Sequence, residues 1–149
     1  LEFRRVLFRS VNRPGWPETW MRMAHVLAKR SYDPRLQVGC LIVDHDNRVV
    51  LGVGYNGNAR KLANEPDSLE PGQSGFVHAE ANAIINCTSR IYSANVYVTH
   101  SPCMQCAKML INGGIWSLHY AVRYRDEGPL ELLRKSGVYV HEIMGEPNA

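Results

Sequence analysis

Residues 101–115 read SPCMQCAKMLINGGI and residues 78–84 read HAEANAI. In the first stretch, Cys103 to Ile111 reads as a helix, and Gly113 and Gly114 stop it as C-terminal caps. In the second, Ala79, Ala83 and Ile84 recur at helical spacing, which predicts a helix from His78 to Cys87. Val96 to Thr99 reads as a short strand between the two helices.

Outward from this pair the alternation continues. On the C-terminal side come a strand (Leu118 to Val122), a helix (Leu130 to Lys135, with Gly137 beyond its end) and a last strand (Val138 to Ile143). On the N-terminal side, Trp20, Met23, Ala24, Leu27 and Ala28 recur at i, i+3 and i+4, with Pro17 in the first turn. That helix is expected to end near Ser31, where Tyr32, Asp33 and Pro34 make a turn. Val38 to Val43 is a strand too apolar for a sheet edge, and the polar cluster Asp44, His45, Asp46, Asn47 reads as a hairpin turn into Val49 to Val53. Residues 54–77 are rich in Gly, Asn, Pro and Ser without periodicity, so they predict a long loop. A helix, two strands, then helix and strand alternating three times predict an α/β fold with a central sheet covered by helices.

The two motifs also carry chemistry. His78 and Glu80 fall in the first turn of one helix, Cys103 and Cys106 in the first turn of another, so the two N-termini are expected to face each other. Cysteines at i and i+3 share a helix face, and the partial positive charge of a helix N-terminus lowers a thiol pKa toward the metal-binding thiolate. One imidazole and two thiolates make three zinc ligands, with Glu80 left over. A structural zinc site is closed by four protein ligands, whereas three leave a position for a reactive water. Zinc lowers the pKa of that water from about 15.7 to about 7, and a nearby carboxylate can then serve as base and afterwards as acid. A thioredoxin-like redox pair is the competing reading of Cys103 and Cys106, but it leaves His78 and Glu80 without a role.

Composition narrows the field. The chain has 149 residues, 45% of them hydrophobic, enough for one domain with a sizeable core. Its net charge is +3, of which +2 comes from the first ten residues, so little basic surface is left to hold a nucleic acid. No apolar run approaches the roughly 20 residues of a membrane-spanning helix. Four cysteines, two of them at metal-ligand spacing, suit a reducing compartment, and cytoplasm is the expectation. Residues 1–12, opening LEFRRVLFRS, have neither a signal-peptide plan nor a clean helical pattern. They read as an assembly- or vector-derived extension in which Val6, Leu7 and Phe8 could still pack, and residues 13–149 as a single zinc-dependent domain.

HxE followed by PCxxC is the pattern of the zinc deaminases. Together with SYDPRLQVGCLIV (31–43) and GYNG (54–57), the two stretches quoted above resemble the deoxycytidylate (dCMP) deaminase family within the cytidine deaminase superfamily, over about Pro14 to Ile143. The resemblance implies a three-layer α/β/α cytidine deaminase-like fold around a central mixed five-stranded sheet. It implies one catalytic Zn2+ per chain, held by His78, Cys103 and Cys106, with Glu80 as proton shuttle. The implied enzyme is a hydrolase acting on the carbon–nitrogen bond of a cyclic amidine, converting a cytosine nucleotide, dCMP first, to dUMP and ammonia, as a homo-oligomer. Asn56 would hydrogen-bond the sugar or base, the backbone around Ala79 and Ser101 would read the pyrimidine edge, and Tyr124 would pack on the nucleotide. Ser31 and Asn82 match family motif positions.

Plainer readings stand beside these. Asn56 before Gly57 suits a tight turn, Tyr124 suits a strand-end rim, Ser31 a helix end, and Asn82 a bond to nearby backbone. His25, His45, His100, His119 and His141 have no ligand motif and read as solvated or core histidines, while Cys40 and Cys87 read as small buried hydrophobes. Some relatives carry cysteines ahead of HAE that support a second metal. Here that loop, NEPDSLEPGQSGFV (64–77), has none, so a single zinc is expected and the nucleotide selectivity and triphosphate control tied to the loop stay open. Two alternatives remain: a deaminase of another cytosine nucleotide, nucleoside or nucleic acid (tRNA or single-stranded DNA), and a non-catalytic zinc-stabilised module.

Overall fold

Strand β1 (Gly39–Val43) is buried along its whole length, and its unbroken apolar run serves two cores at once. Cys40 and Ile42 face one core while Leu41 and Val43 face the other, the period-2 alternation of a central strand. The computed structural model describes residues 13–124 and 126–143. The extension expected over residues 1–12, with Val6, Leu7 and Phe8, lies outside these residues.

β1 pairs antiparallel with β2 (Val50–Tyr55) and with β3 (Asn95–His100). β3 runs parallel to β4 (Ser117–Val122), and β4 parallel to β5 (Tyr139–Glu142). The result is a mixed five-stranded sheet, as the resemblance implied, and its order is β2-β1-β3-β4-β5. On one face lies α1 (Trp16–Ala28), where Trp20, Met21 and Ala24 pack with Leu41, Val43 and Tyr97. On the other lie α2 (Ala79–Ile85), α3 (Met104–Gly113) and α4 (Gly128–Lys135). They contribute Ala79, Ala83, Ala107, Leu110, Leu130 and Leu133 to the larger core. Each buried leucine there contributes roughly 1.5–3 kcal/mol.

Several boundaries differ from expectation, each for a local reason. α1 ends at Ala28, short of Ser31, because Lys29, Arg30 and Ser31 bond back only three residues, to Val26, Leu27 and Ala28, tightening the last turn. α4 starts at Gly128, ahead of Leu130, with Pro129 in its first turn. α2 and α3 begin one residue later than read, so His78 and Cys103 are their N-caps, with extended backbone. α3 does end on its glycines: Gly114 is the left-handed cap at φ 75°.

The long loop between β2 and α2 closes on itself at its base. Gly57 and Val77 exchange hydrogen bonds of 3.1 and 2.8 Å, and Asp67 N–H donates to Ser74 O at 2.8 Å. Its return strand of chain therefore delivers His78 beside the end of β2. Gly54 completes this placement, because any Cβ there would collide with Ala83 N and Ala79 O of α2. Among the described residues no helix is long and apolar enough to cross a membrane.

Candidate active site

The N-cap positions explain how three ligand atoms meet. An N-cap residue has not yet entered the helical coil, so its side chain lies over the open end of the helix. His78 caps α2 and Cys103 caps α3, and Cys106, one turn on, lies on the same end of α3. His78 Nδ1 lies 3.4 Å from Cys103 Sγ and 3.5 Å from Cys106 Sγ. All three donor atoms lie within 4.8 Å of one another. A tetrahedral zinc with Zn–S near 2.3 Å and Zn–N near 2.0–2.1 Å would set sulfur and nitrogen about 3.5 Å apart. The donor set and spacing therefore fit one zinc ion, and among the described residues no other group of three such donors forms.

The sulfurs are electrostatically unequal. Cys103 is held down to about 3, first by its hydrogen bond with Cys106 and also by His78, while the same bond and burial push Cys106 up. Cys106 N–H also donates to Cys103 Sγ at 3.4 Å, the helix end stabilising a thiolate there. Glu80, two residues past His78, is only 4% exposed, and burial pushes its carboxyl up to about 7. Its carboxyl lies in the same cavity as His78 and Cys103.

That cavity is also lined by Asp33, Arg35, Leu36, Asn56, Phe76, Ala79, His100, Ser101 and Tyr124. Of the residues singled out in the sequence, Asn56, Ala79, Ser101 and Tyr124 therefore line it together with Glu80. Ser31 and Asn82 do not. Asn56 is an anchor with every polar atom engaged. Its Oδ1 accepts from Val38 N–H at 2.8 Å, and its Nδ2 donates to Leu36 O at 2.8 Å and Asp33 Oδ2 at 3.2 Å. Ser31 Oγ–H donates to Asn56 O at 2.8 Å, behind the cavity wall. Asn82 Nδ2 donates to Tyr55 O at 2.8 Å, tying α2 to the end of β2. Ser101 Oγ accepts from Tyr124 N–H at 2.7 Å and donates to Tyr124 O at 3.3 Å, which pins the chain after β4 against the end of β3.

Three contributors were not singled out in the sequence. Asp33 Oδ1 accepts from Arg35 N–H at 2.8 Å and Leu36 N–H at 3.3 Å, folding residues 33–36 into the cavity wall. The Asp-Pro pair was a turn signal whose side-chain role could have been read from it. His100, read as a solvated or core histidine, lines the cavity, and its ring meets that of Tyr124 edge-on at 6.4 Å. Phe76 is an apolar wall from the long loop, and nothing in that loop's pattern marked it.

Comparison with known proteins bears on this geometry. Residues 14–122 match the family described as the cytidine and deoxycytidylate deaminase zinc-binding region. The chain is 36% identical over 141 residues to ComE operon protein 2 of Bacillus subtilis, covering 89% of this chain and 74% of that protein. It is 38% identical over 109 residues to the deoxycytidylate deaminase of Homo sapiens, covering 67% of this chain and 61% of that one. The dCMP deaminase of the cyanophage S-TIM5, solved in complex with dCMP and dUMP, superposes with a TM-score of 0.79 at 29% identity, covering 88% of this chain and 98% of that one. With the zinc-binding motifs seated at two facing helix ends, the chain belongs to the cytidine and deoxycytidylate deaminase family.

Proposed function

We propose that this chain hydrolytically deaminates a cytosine nucleotide, with dCMP as substrate and dUMP and ammonia as products. The observation that carries the reading is Glu80, a buried carboxyl sharing one cavity with a three-donor zinc site. A non-catalytic zinc module has no use for such a group. Zinc held by His78, Cys103 and Cys106 would supply a Lewis acid that lowers the pKa of a water to about 7. Glu80 takes one proton from the water as its oxygen bonds to the amine-bearing ring carbon and passes that proton to the ring nitrogen. It then takes the second proton from the new hydroxyl and gives it to the amine, so that the carbonyl forms, the carbon–nitrogen bond breaks and ammonia leaves. Burial suits it to both tasks, because a carboxyl poised near neutrality gives and takes a proton at similar cost.

The cavity walls orient the base. Ala79, Ser101 and Tyr124 are among the lining residues, and in this reading the backbone around Ala79 and Ser101 reads the pyrimidine edge while Tyr124 packs on the nucleotide. Asn56, Ser31 and Asn82 act behind them, holding the segments that carry the wall. The names of the deoxycytidylate deaminase relatives and the dCMP-bound neighbour support the choice of substrate. Residues 13–149 form the single domain of this activity. The family resemblance supports a homo-oligomer, and four unpaired cysteines support a reducing, cytoplasmic setting.

The test is a spectrophotometric panel of dCMP, deoxycytidine, dCTP, CMP and a cytosine-containing oligonucleotide with the zinc-loaded protein. The reading expects the highest kcat/KM for dCMP. Preference for the oligonucleotide would replace the substrate class with nucleic acid.

A further inference from the structure

The ladder between β3 and β4 ends in a side-chain exchange. Ser101 N–H donates to Val122 O at 2.9 Å, continuing the pairing of the two parallel strands. In a regular parallel ladder the next bond would run from Tyr124 N–H to the Ser101 carbonyl. Here the Ser101 hydroxyl accepts that N–H at 2.7 Å and donates its own proton to Tyr124 O at 3.3 Å. A serine hydroxyl can do both, since it carries one donor and two acceptor lone pairs. One side chain therefore supplies both halves of a backbone pairing, two residues past the end of β4.

The neighbouring chain shows why a side chain is needed there. Pro102 has no N–H to donate, and Cys103 already caps α3, so β3 cannot run on beside Tyr124. Ser101 is buried, whereas Val122 and Arg123, the two residues before Tyr124, are exposed and do not join either core. Tyr124 lines the same cavity as His78, Glu80 and Cys103, and its ring meets that of His100 edge-on. That contact restrains how the ring turns. Where the ring sits is set by its backbone, and Ser101 holds the backbone.

We propose that Ser101 is, through its hydroxyl, a positioning residue for the deamination: it fixes the Tyr124 backbone so that the ring stays packed on the bound nucleotide. The inference rests on the reading above, in which Tyr124 packs on that nucleotide. Among the described residues the hydroxyl makes no hydrogen bond to a zinc donor or to Glu80, so it acts on the reaction through Tyr124. Packing on the nucleotide holds the ground state and the transition state alike. Its loss therefore raises KM and spares kcat.

The test is steady-state deamination of dCMP by the zinc-loaded protein, with zinc content measured on each preparation. Ser101→Ala removes both bonds and is expected to raise KM about tenfold, with kcat and zinc content near wild type. Ser101→Thr keeps the hydroxyl and should stay within about threefold of the wild-type KM. Tyr124→Leu should raise KM by itself, and adding Ser101→Ala to it should then change KM by less than about twofold, because the two residues act as one unit. An unchanged KM or a loss of zinc in Ser101→Ala would overturn the assignment. So would an equal rise of KM in Ser101→Thr, or a Ser101→Ala effect that persists in full in the Tyr124→Leu background. An unchanged KM in Tyr124→Leu would overturn it too while leaving the deaminase reading intact. Absence of dCMP turnover in the wild-type protein would instead reject that reading, and this inference with it.

Discussion

At the end of the sheet where β3 and β4 begin, His119, Ser117 and Asn95 form a chain of hydrogen bonds; at the end where β3 stops, His78, His100 and Glu80 line one cavity. Both ends are rich in histidine and aromatic rings. In the first, Asn95 Nδ2 donates to Asp44 O at 2.8 Å and His45 O at 3.1 Å, so its Oδ1 accepts from Ser117 at 2.6 Å, and Ser117 Oγ in turn accepts from His119 Nε2 at 3.0 Å. The His119 ring is stacked between Tyr97 at 4.4 Å and His141 at 4.9 Å. The groove there, about 410 Å³, is larger than the catalytic cavity. Size and residue type therefore do not separate the two ends. What separates them is the donor set: among the described residues only the cavity end brings an imidazole and two thiols within reach of one metal ion, beside a buried carboxyl, whereas at the other end hydrogen bonds between protein groups engage Asn95 and Ser117 and leave His119 Nδ1 buried without a partner.

The sharpest way to break the contrast is to remove a donor at the open end. Cys103→Ser should reduce zinc to well under one ion per chain by elemental analysis and abolish turnover, and wild-type zinc content would exclude its role as a ligand. A subtler break acts through the placement of α2. Gly54→Ala sets a methyl against the α2 backbone and should destabilise the protein by about 1–3 kcal/mol in denaturant titrations. Because α2 carries His78 and Glu80, kcat should fall as well; an unchanged midpoint would show that the helix is free to move away.

The smallest effect belongs to the end at His119. Burial, followed by the neighbouring His141, lowers the His119 pKa to about 4, below its unfolded value near 6.5. Between those values the unfolded chain binds the extra proton, so stability is lost as pH falls from about 6.5 toward 4. His119→Gln, which keeps a donor for Ser117, should shrink the loss of stability between pH 7.5 and pH 5 by on the order of 1–2 kcal/mol after allowance for partial exposure. Turnover at pH 7.5 should be unchanged, since this end takes no part in the chemistry. An identical pH dependence in the variant would show that His119 does not carry this proton linkage.

The same contrast explains what the sequence made legible. Helix starts, strand alternation and the HxE and PCxxC spacings are local, and a central sheet covered by helices and the zinc donors followed from them, while the three layers and the mixed five strands came from the family resemblance. Even there the helix starts slipped by one residue, and that slip matters, because as N-caps His78 and Cys103 point across the helix ends toward each other. The residues behind the cavity depend on distant partners. Asn56 engages Val38, Leu36 and Asp33, and Ser101 engages Tyr124. No periodicity records such bonds, so Asn56 and Ser101 could be placed near the site but not given their anchoring geometry. His100, unassigned in the sequence, lines the cavity with its Nδ1 beside Thr99 Oγ1, which accepts from Gly39 N–H, sixty positions away.

The central claim is that Glu80 is a proton carrier beside a metal site it does not help to build. The direct measurement is zinc content and dCMP turnover of Glu80→Gln against wild type, taken on the same preparations. The account predicts about one zinc per chain in both proteins, with kcat in the variant lower by at least about 10²–10⁴-fold. Wild-type turnover in the zinc-loaded variant would contradict it.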